Sequence, residues 1–260
     1  MPDSSDFPHP QGLMRNAFLA NKRAPTPISS AMQDTLTPSS AKTIRNIQRD
    51  FPEWHLGRPH YLLWALDVDL EPVRERVAAA QRHLSTRLLA GYQREPHITL
   101  SLCGFPSAAP RQVDDFGADI LHQQIDALHR LRPQAFTIAI GALDGFSSAP
   151  YLSVADSGGH IERLRASLDL CPHPLARPDY RPHVTIGLYA DAWPLAQIEA
   201  ELAGFAPGAP LRVEVSRLSL LAYASAEIGG SLTRVADYEF GQGQGRSICH
   251  NTGILPFTLP

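Results

Sequence analysis

The chain has 260 residues, 43% hydrophobic and 19% charged, with a formal net charge of −3 at pH 7, which is ordinary for a globular chain of one or two domains with a sizeable core. The negative balance excludes blanket neutralisation of the phosphates of a long nucleic acid duplex, and leaves room for a local basic pocket serving a short RNA end or a small anionic nucleotide. There is no apolar run of membrane-spanning length and no basic-then-apolar leader, and Cys103, Cys171 and Cys249 form no C-x-x-C pair, so a reducing cytoplasm is expected, with no membrane, disulfide framework or thiolate zinc.

Residues 1–40 are punctuated by Pro, Ser and Thr without periodicity and read as a mobile extension, too poor in apolar surface to repay its ordering entropy. Within an N-terminal extension spanning 1–58, a short helix is expected at 40–51, because Ser40 is a cap residue and Ile44, Ile47 and Phe51 recur at helical spacing. The main domain is expected at 59–240. "YLLWALDVD" reads as a buried strand, "EPVRERVAAAQRHLSTRLL" as a helix, "HITLSLCGF" as a strand and "QVDDFGADILHQQIDALHRL" as a helix. "AFTIAIGALDGFSSAPYLSVAD" reads as two strands joined by a turn at 145–149. A second round follows: helix "HIERLRASLDL", strand "HVTIGLYA", helix "PLAQIEAELAGF" and closing strands "LRVEVSRLSLLAY" and "SLTRVADYEF". The tail, 241–260, opens with alternating glycines that suit a tether and closes in an apolar ILPFTL suited to docking on the body. Two similar sets of elements give the expected fold: α+β, with two pseudo-symmetric lobes, each an antiparallel sheet with helices on its outer face, and a central cleft between the lobes.

The second round also repeats a short phrase. "EPHITLSL" begins at Glu95 and "RPHVTIGL" at Arg181. Alternation along a strand puts His97, Thr99, Ser101 and Cys103 on one face and Ile98, Leu100 and Leu102 on the other. In the second copy Arg181, His183, Thr185, Gly187 and Tyr189 share a face opposite Val184, Ile186 and Leu188. Each polar face therefore carries an imidazole and, about 7 Å further along, a hydroxyl. One such phrase is ordinarily a packing histidine beside a threonine; two on equivalent elements ask for a shared role. Two imidazoles and two hydroxyls suit phosphodiester hydrolysis without a metal, with one histidine as base, the other as acid and the threonines donating to the non-bridging oxygens.

With His97-Ile98-Thr99 and His183-Val184-Thr185, the chain resembles the two-histidine (2H) phosphoesterase superfamily, and over about 60–240 its 2′-5′ RNA ligase and RNA 2′,3′-cyclic phosphodiesterase branch. The "ALDV" strand, the "GALDGF" hairpin and "YRPHVTIGLY" share in that resemblance. It implies hydrolysis of 2′,3′-cyclic phosphate ends of RNA or nucleotides to a 2′-phosphate, or reversible 2′-5′ linkage chemistry, without a cofactor. His97, Thr99, His183 and Thr185 are the implied catalytic residues. Either histidine can serve as base, and the resemblance leans to His183.

The usual basic richness near the first motif is missing, since "LCGFPSAAP" follows it. Candidate substrate contacts are Arg181, in register with His183 and able to reach a phosphate, and Tyr189 or Tyr151, either of which is placed to stack a base. Glu95 shares the first histidine's face and is expected at the strand entrance, away from a phosphate. The other histidines show no zinc spacing; His122 and His129 form a helix stripe, and "CPHP" at Cys171–Pro174 reads as a turn. Two readings stand beside the enzyme: a non-catalytic protein binding RNA ends or nucleotides on the same scaffold, and a partner-binding protein whose tails do the work.

Overall fold

In a computed structural model of the chain, residues 41–169, 180–241 and 245–258 are described. The expectations for residues 1–40, for "CPHP" and for 242–244 of the glycine-rich run fall outside them.

The centre of the first lobe is β1 (His60–Asp67), six of whose eight residues are buried, as a continuous apolar run requires when both faces of a sheet are covered. It lies inside a six-stranded sheet of order β10-β9-β8-β1-β2-β3, formed with β2 (His97–Pro106), β3 (Asp115–Phe116), β8 (Arg217–Ala224), β9 (Thr233–Glu239) and β10 (Arg246–Cys249). The second lobe is a four-stranded sheet of order β6-β5-β4-β7, from β4 (Phe136–Gly145), β5 (Pro150–Ala155), β6 (His183–Thr185) and β7 (Leu211–Val215). Every pairing is antiparallel except β2 with β3. The helices are α1 (Pro52–His55), α2 (Glu71–His83), α3 (Ala118–Leu131), α4 (His160–Leu168) and α5 (Leu195–Ala203). This is the expected α+β architecture of two antiparallel lobes.

The pleat of β1 divides the core. Leu62, Trp64 and Leu66 join the large cluster that includes the buried faces of α2, α3 and α4, while Tyr61, Leu63 and Ala65 join a smaller cluster with Phe51, Trp54, Phe105 and Tyr223. On α3 the buried residues Leu121, Gln124, Ile125 and Leu128 follow helical spacing. The polar member of that stripe is satisfied: Trp64 Nε1 donates to Gln124 Oε1 at 2.8 Å and Gln124 Nε2 donates to the Leu168 carbonyl at 2.9 Å. Gly104 has φ +115°, and a Cβ there would lie 2.2 Å from the Asp114 carbonyl oxygen, so the crossing of β2 and the chain leading to β3 needs glycine.

Two expected elements are corrected. The helix at 40–51 is absent: residues 41–51 run without helical structure, and α1 begins only at Pro52. Their backbone groups pair with distant loops instead. Thr43 N donates to the Trp193 carbonyl (2.8 Å), Ile44 N to Ser147 (2.7 Å) and Asn46 N to Tyr189 (3.0 Å), so tertiary partners replace the i−4 ladder. The tail is more than a tether, because Arg246–Cys249 adds the sixth strand; its apolar end docks on the body as expected, with Ile254, Leu255 and Phe257 partly buried against the main core. His250 Nε2 lies 2.9 Å from Asp237 Oδ2, in a polar cluster where Arg217 and Arg234 both reach Asp67.

Candidate active site

The two motif strands come from different sheets, β2 inside the first and β6 at the edge of the second. His97 is opposite Asp67, and Thr99 opposite Ala65, on β1; His183 and Thr185 are opposite Ser153 and Tyr151 on β5. All four motif side chains line a single pocket, together with Arg94, Tyr92, Leu102, Phe146, Leu188 and Tyr223.

The two histidines are held alike. His97 Nδ1 is 2.8 Å from the Glu95 carbonyl oxygen and His183 Nδ1 is 2.7 Å from the Arg181 carbonyl oxygen, each two residues back. A carbonyl only accepts, so both Nδ1 atoms carry hydrogen, which leaves Nε2 of each ring as the nitrogen that gains or loses a proton. The environments differ. His97 is 8% exposed, and burial, helped by the charges of Arg94 and His183, pushes its pKa down to about 4 against the opposing pull of the Glu95 carbonyl and Asp67. The His183 ring stands edge-on to Phe146 at 4.9 Å and tilted against Tyr151 at 5.2 Å.

The alternation on which the motif was read holds only locally. A bulge in the β1–β2 register leaves Leu100 unpaired between Thr99 and Ser101, so Leu102 turns into the pocket while Cys103 turns into the core. On the other side β6 ends at Thr185, and beyond Gly187 the parity reverses: Leu188 lines the pocket and Tyr189 is buried in the core, 0% exposed. Tyr189 is thus a packing residue, unable to stack a base. Tyr151, 2% exposed, also lies outside the pocket lining; its hydroxyl donates to Asp144 Oδ2 at 3.0 Å, and its ring supports His183. Arg181 is exposed, lies outside the lining, and engages the Tyr151 hydroxyl. Glu95 is turned away, accepting from Leu232 N at 2.8 Å.

Sequence reasoning missed Arg94. Its guanidinium lies over the Tyr223 ring, 4.1 Å from the centroid, and its Nε is buried without a hydrogen-bond partner. It precedes β2, where no strand parity points to a face; its one signal is a cation three positions before His97. Also missed were the pocket-lining residues of the N-terminal strap, Asn46, Ile47, Phe51 and Trp54. Among the described residues no cluster of three or more His, Cys, Asp and Glu side chains is placed to hold a metal ion, and no helix is long and apolar enough to cross a membrane.

The family model of the 2′-5′ RNA ligase superfamily matches residues 69–227, which hold both motifs. The chain belongs to this superfamily. The resemblance to two-histidine phosphoesterases is thereby established at the level of the family. Among solved structures, Escherichia coli LigT complexed with 3′-AMP is similar at 18% identity, covering 72% of this chain and 100% of LigT, with a TM-score of 0.46. The protein TT0787 of Thermus thermophilus is similar at 18% identity, covering 70% of this chain and 98% of its own, with a TM-score of 0.45. Comparison with curated proteins found no match.

Proposed function

We propose that this superfamily member is a metal-independent phosphodiesterase that opens 2′,3′-cyclic phosphates, at RNA ends or on nucleotides, to 2′-phosphates, with His97, Thr99, His183 and Thr185 as its catalytic residues. The observation that supports this most is the meeting of both His-x-Thr pairs in one pocket, each imidazole anchored through Nδ1 and presenting Nε2.

His97, kept unprotonated by burial, takes the proton of the attacking water through Nε2. A bond forms from the water oxygen to phosphorus, the bond to the 3′-oxygen breaks, and protonated His183 gives its Nε2 proton to that oxygen. This order of roles reverses the lean toward His183 as base; with a 5′-hydroxyl in place of water the same step forms a 2′-5′ linkage, and its reverse cleaves that linkage and closes the cyclic phosphate. The Thr99 and Thr185 hydroxyls donate to the non-bridging oxygens, and Arg94 supplies the positive charge close to His97. The test is the product isomer. Wild type acting on adenosine 2′,3′-cyclic phosphate in EDTA should release adenosine 2′-phosphate; release of the 3′ isomer, or activity lost to EDTA and restored by zinc, would overturn this reading.

A further inference from the structure

We propose that the segment 46–54, which lies before the stretch matched by the family model, forms a fixed wall of the pocket that receives a nucleobase, so that the enzyme selects compounds carrying one phosphodiester and one planar base. The inference rests on the phosphodiesterase reading above.

The strap is tied to both lobes. On the second-lobe side Thr43 Oγ1 donates to the Asp191 carbonyl at 2.8 Å, and Asn46 Nδ2 faces the carbonyls of Ser148 (3.1 Å) and Tyr189 (3.0 Å). On the first-lobe side Gln48 Nε2 donates to the Ile228 carbonyl at 3.1 Å, and Phe51 and Trp54 are buried against Tyr61, Phe105 and Tyr223. Just beyond, Arg58 donates to Asp114 at 2.7 Å and to Asp115 at 2.8 Å and lies over Phe105. A segment held at both ends needs no ordering when ligand arrives, which preserves affinity.

Between the anchors Ile47 stays 47% exposed. Among the described residues it is the one exposed large hydrophobic side chain that also lines the pocket, an arrangement that leaves apolar area for a ligand to cover. Tyr92, Phe146, Leu188 and Tyr223 add aromatic and aliphatic wall, Asn46, Ser225 and the two motif threonines are polar, and the charged members besides the histidines are Arg94 and Glu227. One arginine matches one phosphate, and a carboxylate opposes a second. Aromatic walls suit a planar base better than an aliphatic chain.

The experiment compares kcat/KM on adenosine 2′,3′-cyclic phosphate with that on methyl riboside 2,3-cyclic phosphate, which has no base, for wild type, Ile47→Ala and Ile47→Asp. Thermal unfolding of each variant checks folding. The expected result is a base preference in wild type that falls about tenfold in Ile47→Asp, as loss of a good apolar contact implies, and falls less in Ile47→Ala. A merely structural wall would depress both substrates alike; an unchanged ratio overturns the proposal. If wild type turns over neither substrate, the phosphodiesterase reading fails, and titration with adenosine 2′-monophosphate reads the wall by itself. Binding about tenfold weaker in Ile47→Asp then sustains the base-receiving wall, and unchanged binding overturns it.

Discussion

The Tyr180 hydroxyl donates a 2.9 Å hydrogen bond to the main-chain carbonyl of Thr99, so the approach to the second motif is fastened to the strand that carries the first. Arg165 reinforces the junction, its guanidinium 3.5 Å from the Tyr180 ring centroid and donating to the adjacent Leu100 carbonyl. Two half-sites on separate sheets keep a common geometry through such ties, and a displacement of an ångström is enough to reduce catalysis.

Tyr180→Phe should therefore cost about 1 kcal/mol of stability, the usual net value of such a bond, and lower kcat by about tenfold with little change in KM, since positioning rather than binding is lost. Denaturant unfolding and steady-state kinetics on a cyclic nucleotide check both halves. Unchanged kcat would mean that the two motifs keep their relation without this tie.

How far such a site can be read from sequence depends on how local its causes are. Strand parity places His97 with Thr99 and His183 with Thr185 because each pair lies within one uninterrupted pleat. It misplaces Cys103 and Tyr189 because a bulge and an early strand end intervene; Gly104 and Gly187 stand beside the two breaks, but a glycine inside a strand pattern does not say which way the parity turns. Ile44, Ile47 and Phe51 fit helical spacing, yet the carbonyls of Ser147, Tyr189 and Trp193 draw the strap into an extended path, and those partners lie a hundred residues or more away along the chain. Arg94 sits outside any periodic element. The fold and the meeting of the four motif residues in one pocket are thus legible, and the rest of the pocket is a product of tertiary contact.

The depressed pKa of His97 makes stability depend on pH. The unfolded chain binds its proton near the ordinary value of about 6.5 and the folded chain only near 4. Between these values the unfolded state holds more protons, so the contribution is complete above about pH 6.5 and is lost as pH falls toward 4, up to about 3 kcal/mol in all. Urea unfolding of wild type and His97→Gln from pH 7 to 4 should show a steeper fall in wild type. Parallel curves would place the His97 pKa near its ordinary value.

Burial of Tyr189 predicts the opposite of a base-stacking role. Its hydroxyl is buried without a hydrogen-bond partner, so Tyr189→Phe should be neutral or stabilising by up to about 1 kcal/mol and leave kcat/KM on a cyclic nucleotide unchanged. Gly145→Ala, whose Cβ would meet the Tyr189 hydroxyl at 2.8 Å and Leu202 at 2.9 Å, should destabilise by about 1–3 kcal/mol through overpacking. Thermal unfolding of the two variants, shifting in different directions or by clearly different amounts, checks this.

If the threonines donate to the phosphate as proposed, Thr99→Ala and Thr185→Ala should each leave a weaker enzyme, reduced about tenfold to a few hundredfold in kcat. Their double variant should approach the product of the two losses if the hydroxyls act on separate oxygens. Kinetics at saturating cyclic nucleotide decides it.

The most direct measurement of the central claim is hydrolysis of adenosine 2′,3′-cyclic phosphate, with EDTA present, by wild type, His97→Ala and His183→Ala, each shown to be folded by its thermal transition. The account predicts turnover by wild type and a loss of about a thousandfold or more in each variant, because each lacks one of two proton-transfer groups that act together. Turnover by either variant within tenfold of wild type would contradict a two-histidine mechanism at this pocket.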